Sequence, residues 1–140
     1  CNNLTIKNAN FYNDWWAQNG DGIDISACKN VAIFNTIVSV GDDAICMKSS
    51  GTNSNADDAN LENVLIANCT VYRGHGAFVI GSNTDGGMKN IFVTNCMFNG
   101  TDIGVRVKSN SGRGGRVQQI YVDSISMFNI INEAILFDTY

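Results

Sequence analysis

The chain has 140 residues, no proline and a formal net charge of −4, with 44% hydrophobic and only 16% charged residues. That is enough apolar material for the core of one domain, but the charged fraction lies well under the usual quarter. The balance excludes an overall basic footprint for nucleic acid, no apolar run is long enough to span a membrane, and any site for a polyanion must be a local basic patch.

Read in chain order, the first element is "NLTIKNANFYND" from Asn3, which rejoins a recurring pattern at "GDGIDIS". The full pattern first appears as "NVAIFNTIVSVGDDAICMKS" from Asn30. After an insertion, "SGTNSNADDANLE" over residues 50–62, it returns as "NVLIANCTVYRGHGAFVIGS" from Asn63. It then recurs as "NIFVTNCMFNGTDIGVRVKS" from Asn90 and "QIYVDSISMFNIINEAILFD" from Gln119. Asn8, Asn35, Asn68 and Asn95 share one column of this alignment, and Ile45, Phe78, Val105 and Ile135 share another.

Within each repeat the apolar residues alternate over short runs bounded by Asn and Gly, the signature of strands joined by turns. No window holds a helical period over ten or more residues. Irregular repeat length argues against propeller blades and favours a coil whose turns accept insertions. The expected fold is all-β, a right-handed parallel β-helix of about five coils. It forms a single segment over 1–140, the central catalytic part of a longer domain. The start at Cys1, with no initiator methionine or signal peptide, fits a processed or truncated segment.

Like residues should stack at about 4.8 Å per rung. The asparagine column is expected at an inward turn, where stacked amides satisfy one another. "NLT" at Asn3, "NCT" at Asn68 and "NGT" at Asn99 are glycosylation-type triplets, with Asn68 better explained by the ladder. The five cysteines form no CxxC pair and read as buried thiols rather than a zinc site or disulfide framework.

Alternation points Ile45, Met47, Phe78, Ile80, Val105 and Val107 inward, and Cys46, Lys48, Arg106 and Lys108 outward. The preceding turn reads "GDD", "GHG" and "TDI" in successive coils, aligning Asp42, His75 and Asp102, with Asp43 beside Asp42. Asp21 lies about one coil earlier. Simple alternation would turn Asp43 inward, so a turn or bulge at Gly41–Asp43 must present both carboxylates outward.

Solvated turn aspartates explain any single Asp-Gly but not the set. A calcium site needs several oxygen ligands, and the nearby His, Arg and Lys argue against one. A glycosidase needs one protonated carboxyl and a second carboxylate, and crowded carboxyls on neighbouring rungs, with room for a water, suit the inverting geometry. Arg106 and Lys108 add a charge-selective subsite for an acidic sugar.

"NGDGID", "GDD", "GHG" and "RVK", in that order on a β-helical repeat, resemble the family 28 glycoside hydrolases, the polygalacturonases. The resemblance covers the whole chain. It implies metal-independent, inverting hydrolysis of α-1,4-galacturonosyl linkages in pectin or its oligosaccharides, with no cofactor. It further implies Asp42 as general acid, Asp21 and Asp43 holding the water, and His75 supporting the acid. Arg106 and Lys108 would bind the galacturonate carboxylate, while Asn19 and Tyr140 would contact substrate. Gly20 and Ala44 depart from the family's usual threonine and cysteine without removing a reacting group. The run "GTDIGVRVKSNSGRGG" looks like bacterial members, many of them exo-acting, so exo action is the expectation.

The expected partner is a pectic polysaccharide or oligogalacturonide met by a secreted or periplasmic monomer, with neither nucleic acid nor membrane involved. The rival readings are a calcium-dependent pectate lyase on a similar β-helix and a non-catalytic carbohydrate-binding solenoid.

Overall fold

The computed structural model describes residues 1–51 and 58–139, so residues 52–57 of the insertion and Tyr140 lie outside the described residues. Thirteen strands and no helix make up the described chain. They are β1 (Asn2–Lys7), β2 (Asn10–Tyr12), β3 (Ile23–Ser26), β4 (Lys29–Phe34), β5 (Ile37–Ser39), β6 (Ile45–Lys48) and β7 (Leu61–Ala67). There follow β8 (Thr70–Tyr72), β9 (Gly76–Ile80), β10 (Met88–Asn99), β11 (Ile103–Ser109), β12 (Val117–Phe128) and β13 (Ile135–Thr139).

Every pairing is parallel, and each joins a strand to its counterpart in the next repeat. One sheet of eight strands runs β1-β4-β7-β10-β8-β5-β2, with β12 added to β10. The other runs β13-β11-β9-β6-β3. This is the parallel β-solenoid of five coils that the repeats predict. β10 and β12 each run unbroken through two arms that β7 and β8 divide between them.

The inward columns form the core. Val31, Val64 and Ile91 stack in one, and Ile33, Ile66 and Val93 in another, each at most 4% exposed. On the second sheet Ile45, Phe78 and Val105 stack, beside Met47 and Ile80. Each such side chain contributes about 1.5–3 kcal/mol by leaving water, so the repeated apolar columns hold the coils together. All five cysteines are free; four are buried, and exposed Cys1 places its Sγ 3.3 Å from that of Cys28.

The asparagine column differs from expectation. Asn8, Asn35, Asn68 and Asn95 are exposed rather than turned inward, all with positive φ between 51° and 55°. They mark bends where the backbone turns left-handed, which asparagine tolerates better than other non-glycine residues. Their amides do run along the axis, at 3.4 Å from Asn35 to Asn8 and 2.6 Å from Asn95 to Asn68. A second ladder joins Asn2, Asn30, Asn63 and Asn90 at 2.8–3.0 Å. The columns therefore serve the backbone bend first and the hydrogen bonds second, at the surface.

Candidate active site

The outer face of the β3-β6-β9-β11-β13 sheet gathers the polar residues. His75 N donates to Asp42 O at 2.9 Å, and Asp102 N donates to Gly74 O at 3.0 Å. Asp42, His75 and Asp102 therefore stand one per rung. Gly22 N donates to Asp43 O at 2.9 Å, which sets Asp21 beside Asp43 on the preceding coil.

The Gly41–Asp43 turn resolves the orientation of the carboxylate pair. Asp42 Oδ1 accepts the Asp43 backbone N–H at 2.9 Å, and lies 3.1 Å from Nδ1 of half-exposed His75. Asp43 is only 2% exposed, yet it does not enter the core. Its Oδ2 accepts from Lys108 Nζ at 2.7 Å, two rungs away on β11. The intervening rung carries Gly76 on β9, where an added Cβ would lie 3.4 Å from Asp43 Oδ1 and 3.7 Å from the Arg106 Cβ. The missing side chain leaves room for the reach. Asp43 Oδ1 is buried and has no hydrogen-bond partner among the described residues.

Asp21 is held by a different lysine. Lys48 Nζ donates to Asp21 Oδ2 at 2.9 Å and to Asp24 Oδ2 at 2.7 Å. Burial works against the Lys48 charge, but the Asp24 and Asp21 hydrogen bonds outweigh it and hold the ammonium above the usual lysine range. Asp24 is pushed up by burial, with Lys48 pulling the other way and the Asp21 charge adding to the rise. Asp21, Asp24 and Cys46 place three possible ligand atoms within 4.8 Å of one another. The Lys48 ammonium already bridges the two carboxylates there.

Three outward residues behave differently from solvated outward side chains. Cys46 faces outward but is fully buried, and its Sγ donates to Gly81 O at 3.2 Å. Charged side chains roof the outer face at this point, and burial, with the Asp43 charge, pushes the Cys46 thiol well up. Arg106 and Lys108 stand on one face, but each already has an acidic partner. Lys108 holds Asp43, and Arg106 Nη2 donates to Asp138 Oδ2 at 3.1 Å while Arg106 Nε is buried without a partner among the described residues.

Asn19 sits in a loop that repeat alignment does not explain. Asn13 folds this loop, donating from Nδ2 to Gly20 O at 2.7 Å and accepting the Gly41 N–H on Oδ1 at 2.9 Å. The loop lies directly on Gly41, where an added Cβ would come 2.5 Å from Asp14 O. It presents Trp15 and Trp16, 65% and 63% exposed and packed edge to face with centroids 5.6 Å apart. Trp15, Gly41 and His75 separate two grooves. One, of about 400 Å³, reaches Asn19 and Asp42, and the other, of about 530 Å³, reaches Arg73, Asp102 and Ile131.

Of the expected site residues, Asp21, Asp42, Asp43, His75, Arg106 and Lys108 share one face, Asn19 joins them through the loop, and Tyr140 lies outside the described residues. Lys48, named only as outward-pointing, and Asp24 and the two tryptophans were not assigned to the site by sequence reasoning. Lys48 and Asp24 carried a signal, since both alternate onto the outer face of neighbouring strands, two positions out of register. Adjacent tryptophans just ahead of "NGDGID" were a second.

A family model described as glycosyl hydrolases family 28 matches residues 1–140. A polygalacturonase from Ralstonia nicotianae is 38% identical over 127 residues, covering 88% of this chain and 22% of that protein. An exo-poly-alpha-D-galacturonosidase from Dickeya chrysanthemi is 28% identical over 131 residues, covering 94% of this chain and 22% of that protein. Among solved structures, a hyperthermoactive exopolygalacturonase from Thermotoga maritima superposes with a TM-score of 0.89 at 28% identity, over 99% of this chain and 31% of that one. A family 28 exopolygalacturonase from Yersinia enterocolitica gives a TM-score of 0.78 at 30% identity, over 87% of this chain and 22% of that one. The chain thus spans between about a fifth and a third of the length of these proteins.

Proposed function

The chain belongs to glycosyl hydrolases family 28, and from that premise we propose that it forms the catalytic part of an exo-acting polygalacturonase. The reaction is inverting hydrolysis of α-1,4-galacturonosyl linkages in homogalacturonan or its oligosaccharides. The exo mode is supported by the likeness to two exopolygalacturonases along most of this chain.

The observation that carries the reading is the unequal partnering of three carboxyls. Asp21 and Asp43 each hold a lysine ammonium, at 2.9 and 2.7 Å, whereas Asp42 faces an imidazole and lines a groove. An ammonium contact favours a carboxylate acting as base or water ligand. The carboxyl without one is suited to hand over a proton. Asp42 protonates the glycosidic oxygen as the bond to the anomeric carbon breaks. A water held by Asp21 and Asp43 attacks the opposite face of the sugar and passes its proton to that carboxylate pair. The Oδ1 of Asp43, buried and without a hydrogen-bond partner among the described residues, has a lone pair to offer this water.

His75 orients Asp42 and returns its proton between turnovers. Arg106 and Lys108 add positive charge along the face on which an acidic sugar lies, and Asn19 offers an amide at the rim of the Asp42 groove. From this substrate we infer a secreted or periplasmic protein.

Proton NMR of the first product released by the full-length protein tests the reading. The β-anomer should appear first, with release undiminished by chelator and no ultraviolet-absorbing unsaturated product. An α-anomer would overturn inversion, and chelator-sensitive release of an unsaturated product would favour the lyase reading.

A further inference from the structure

The charges expected to read the substrate carboxylate are both engaged by internal acids, Lys108 by Asp43 and Arg106 by Asp138. The 530 Å³ groove on the far side of Trp15 offers another cation. Arg73 lines it, is exposed, and makes no side-chain hydrogen bond or ion pair among the described residues. Its backbone has φ 67°, in the turn that leads directly into His75. The conformation is unfavourable for an arginine, and at this turn the residue lines the groove. Exposed Trp15 and Ile131 form apolar walls, and Asp102 supplies a carboxylate.

We propose that this groove is a second uronate subsite, in which Arg73 pairs with the carboxylate of the sugar next to the one held over Asp42. The elements match one acidic pyranose. A guanidinium pairs with its carboxylate in two parallel hydrogen bonds. An indole face takes its C–H surface, and Asp102 accepts from its hydroxyls. Asp102 also opposes any anion placed near it, so the sugar carboxylate is directed to the Arg73 side and its hydroxyls to Asp102. Because the two grooves share His75, Gly41 and Trp15, a chain filling both crosses the rung of Asp42. The assignment rests on the polygalacturonase reading and deepens it.

The test uses the full-length protein with Asp42→Asn to keep the ligand uncleaved, and calorimetric titration with trigalacturonate and with its methyl-esterified form. Adding Arg73→Ala should weaken trigalacturonate about tenfold, the worth of one charge-assisted contact, and the ester less than about twofold on the same reasoning. Arg73→Lys should recover part of the loss, and Trp15→Ala should weaken both ligands alike. Equal loss for acid and ester, or no loss for either, on Arg73→Ala overturns the subsite. Turnover of homogalacturonan by the Asp42→Asn protein is a separate readout that bears on the hydrolase reading alone.

Discussion

Two kinds of ladder climb this solenoid on different faces. On the eight-stranded sheet the asparagine ladders repeat one residue type over four rungs, most of them linked to a neighbour by an amide and, Asn2 apart, bent by a similar positive φ. On the five-stranded sheet the outer face changes residue at every rung, and its links jump between coils, as Lys108 does to reach Asp43. The first ladder solves one backbone problem repeatedly. The second solves a different problem at each step. Identical rungs mark architecture, and a column that breaks its own repeat marks chemistry.

Substitutions sharpen the contrast by separating turnover from stability. The largest effect belongs to Asp42→Asn, which should lower kcat by about 10²–10⁴ through loss of general acid catalysis. Its melting temperature should stay close to that of the unaltered protein; a large fall would make Asp42 a structural residue like the asparagines.

Lys48→Met falls between the two classes, because it strands Asp21 and Asp24 without their shared cation. Turnover should drop about tenfold, with about 1 kcal/mol of stability lost once the exposure of Asp24 is discounted. The sign of the pH dependence follows from the raised Lys48. Its contribution is complete below the ordinary lysine value of about 10.4 and is lost only as pH rises through the higher folded value. Melting curves of the two proteins should therefore differ at neutral pH and converge in strong alkali. A gap that closes already near pH 9 would contradict the pairing.

Asn68→Ala should have the smallest effect on turnover, and the converse one on stability. It removes the side chain that favours the left-handed bend and makes the 2.6 Å amide link. A cost of about 1–2 kcal/mol is expected, with kcat/KM untouched, and Asn68→Gly should recover much of it. A change in kcat/KM would collapse the distinction between the ladders.

The same distinction explains how far the sequence could be read. Column alignment paired Ile45 with Phe78 and Val105, and the structure pairs the same residues. It also set Asp42, His75 and Asp102 on successive rungs. Alignment reports rung and face, but not how far a side chain reaches along the axis. The Lys108–Asp43 pair, 65 residues apart in sequence and two rungs apart in space, was therefore invisible. So was the burial of Cys46, since alternation assigns a face without saying what covers it. The asparagine column was recognised while its direction was misjudged, because hydrogen-bonded stacking suits an inward turn and an outward bend equally well. The Trp15 loop escaped because it replaces part of a repeat and has no counterpart to align.

Asn13 gives that loop a mechanical significance. One amide group grips the carbonyl of Gly20, next to Asp21, and the N–H of Gly41, next to Asp42. The aromatic lip and the two acid-bearing turns are thereby fastened at a single rivet. A displacement of the Trp15 loop is therefore shared with the backbone beside both carboxylate-bearing turns.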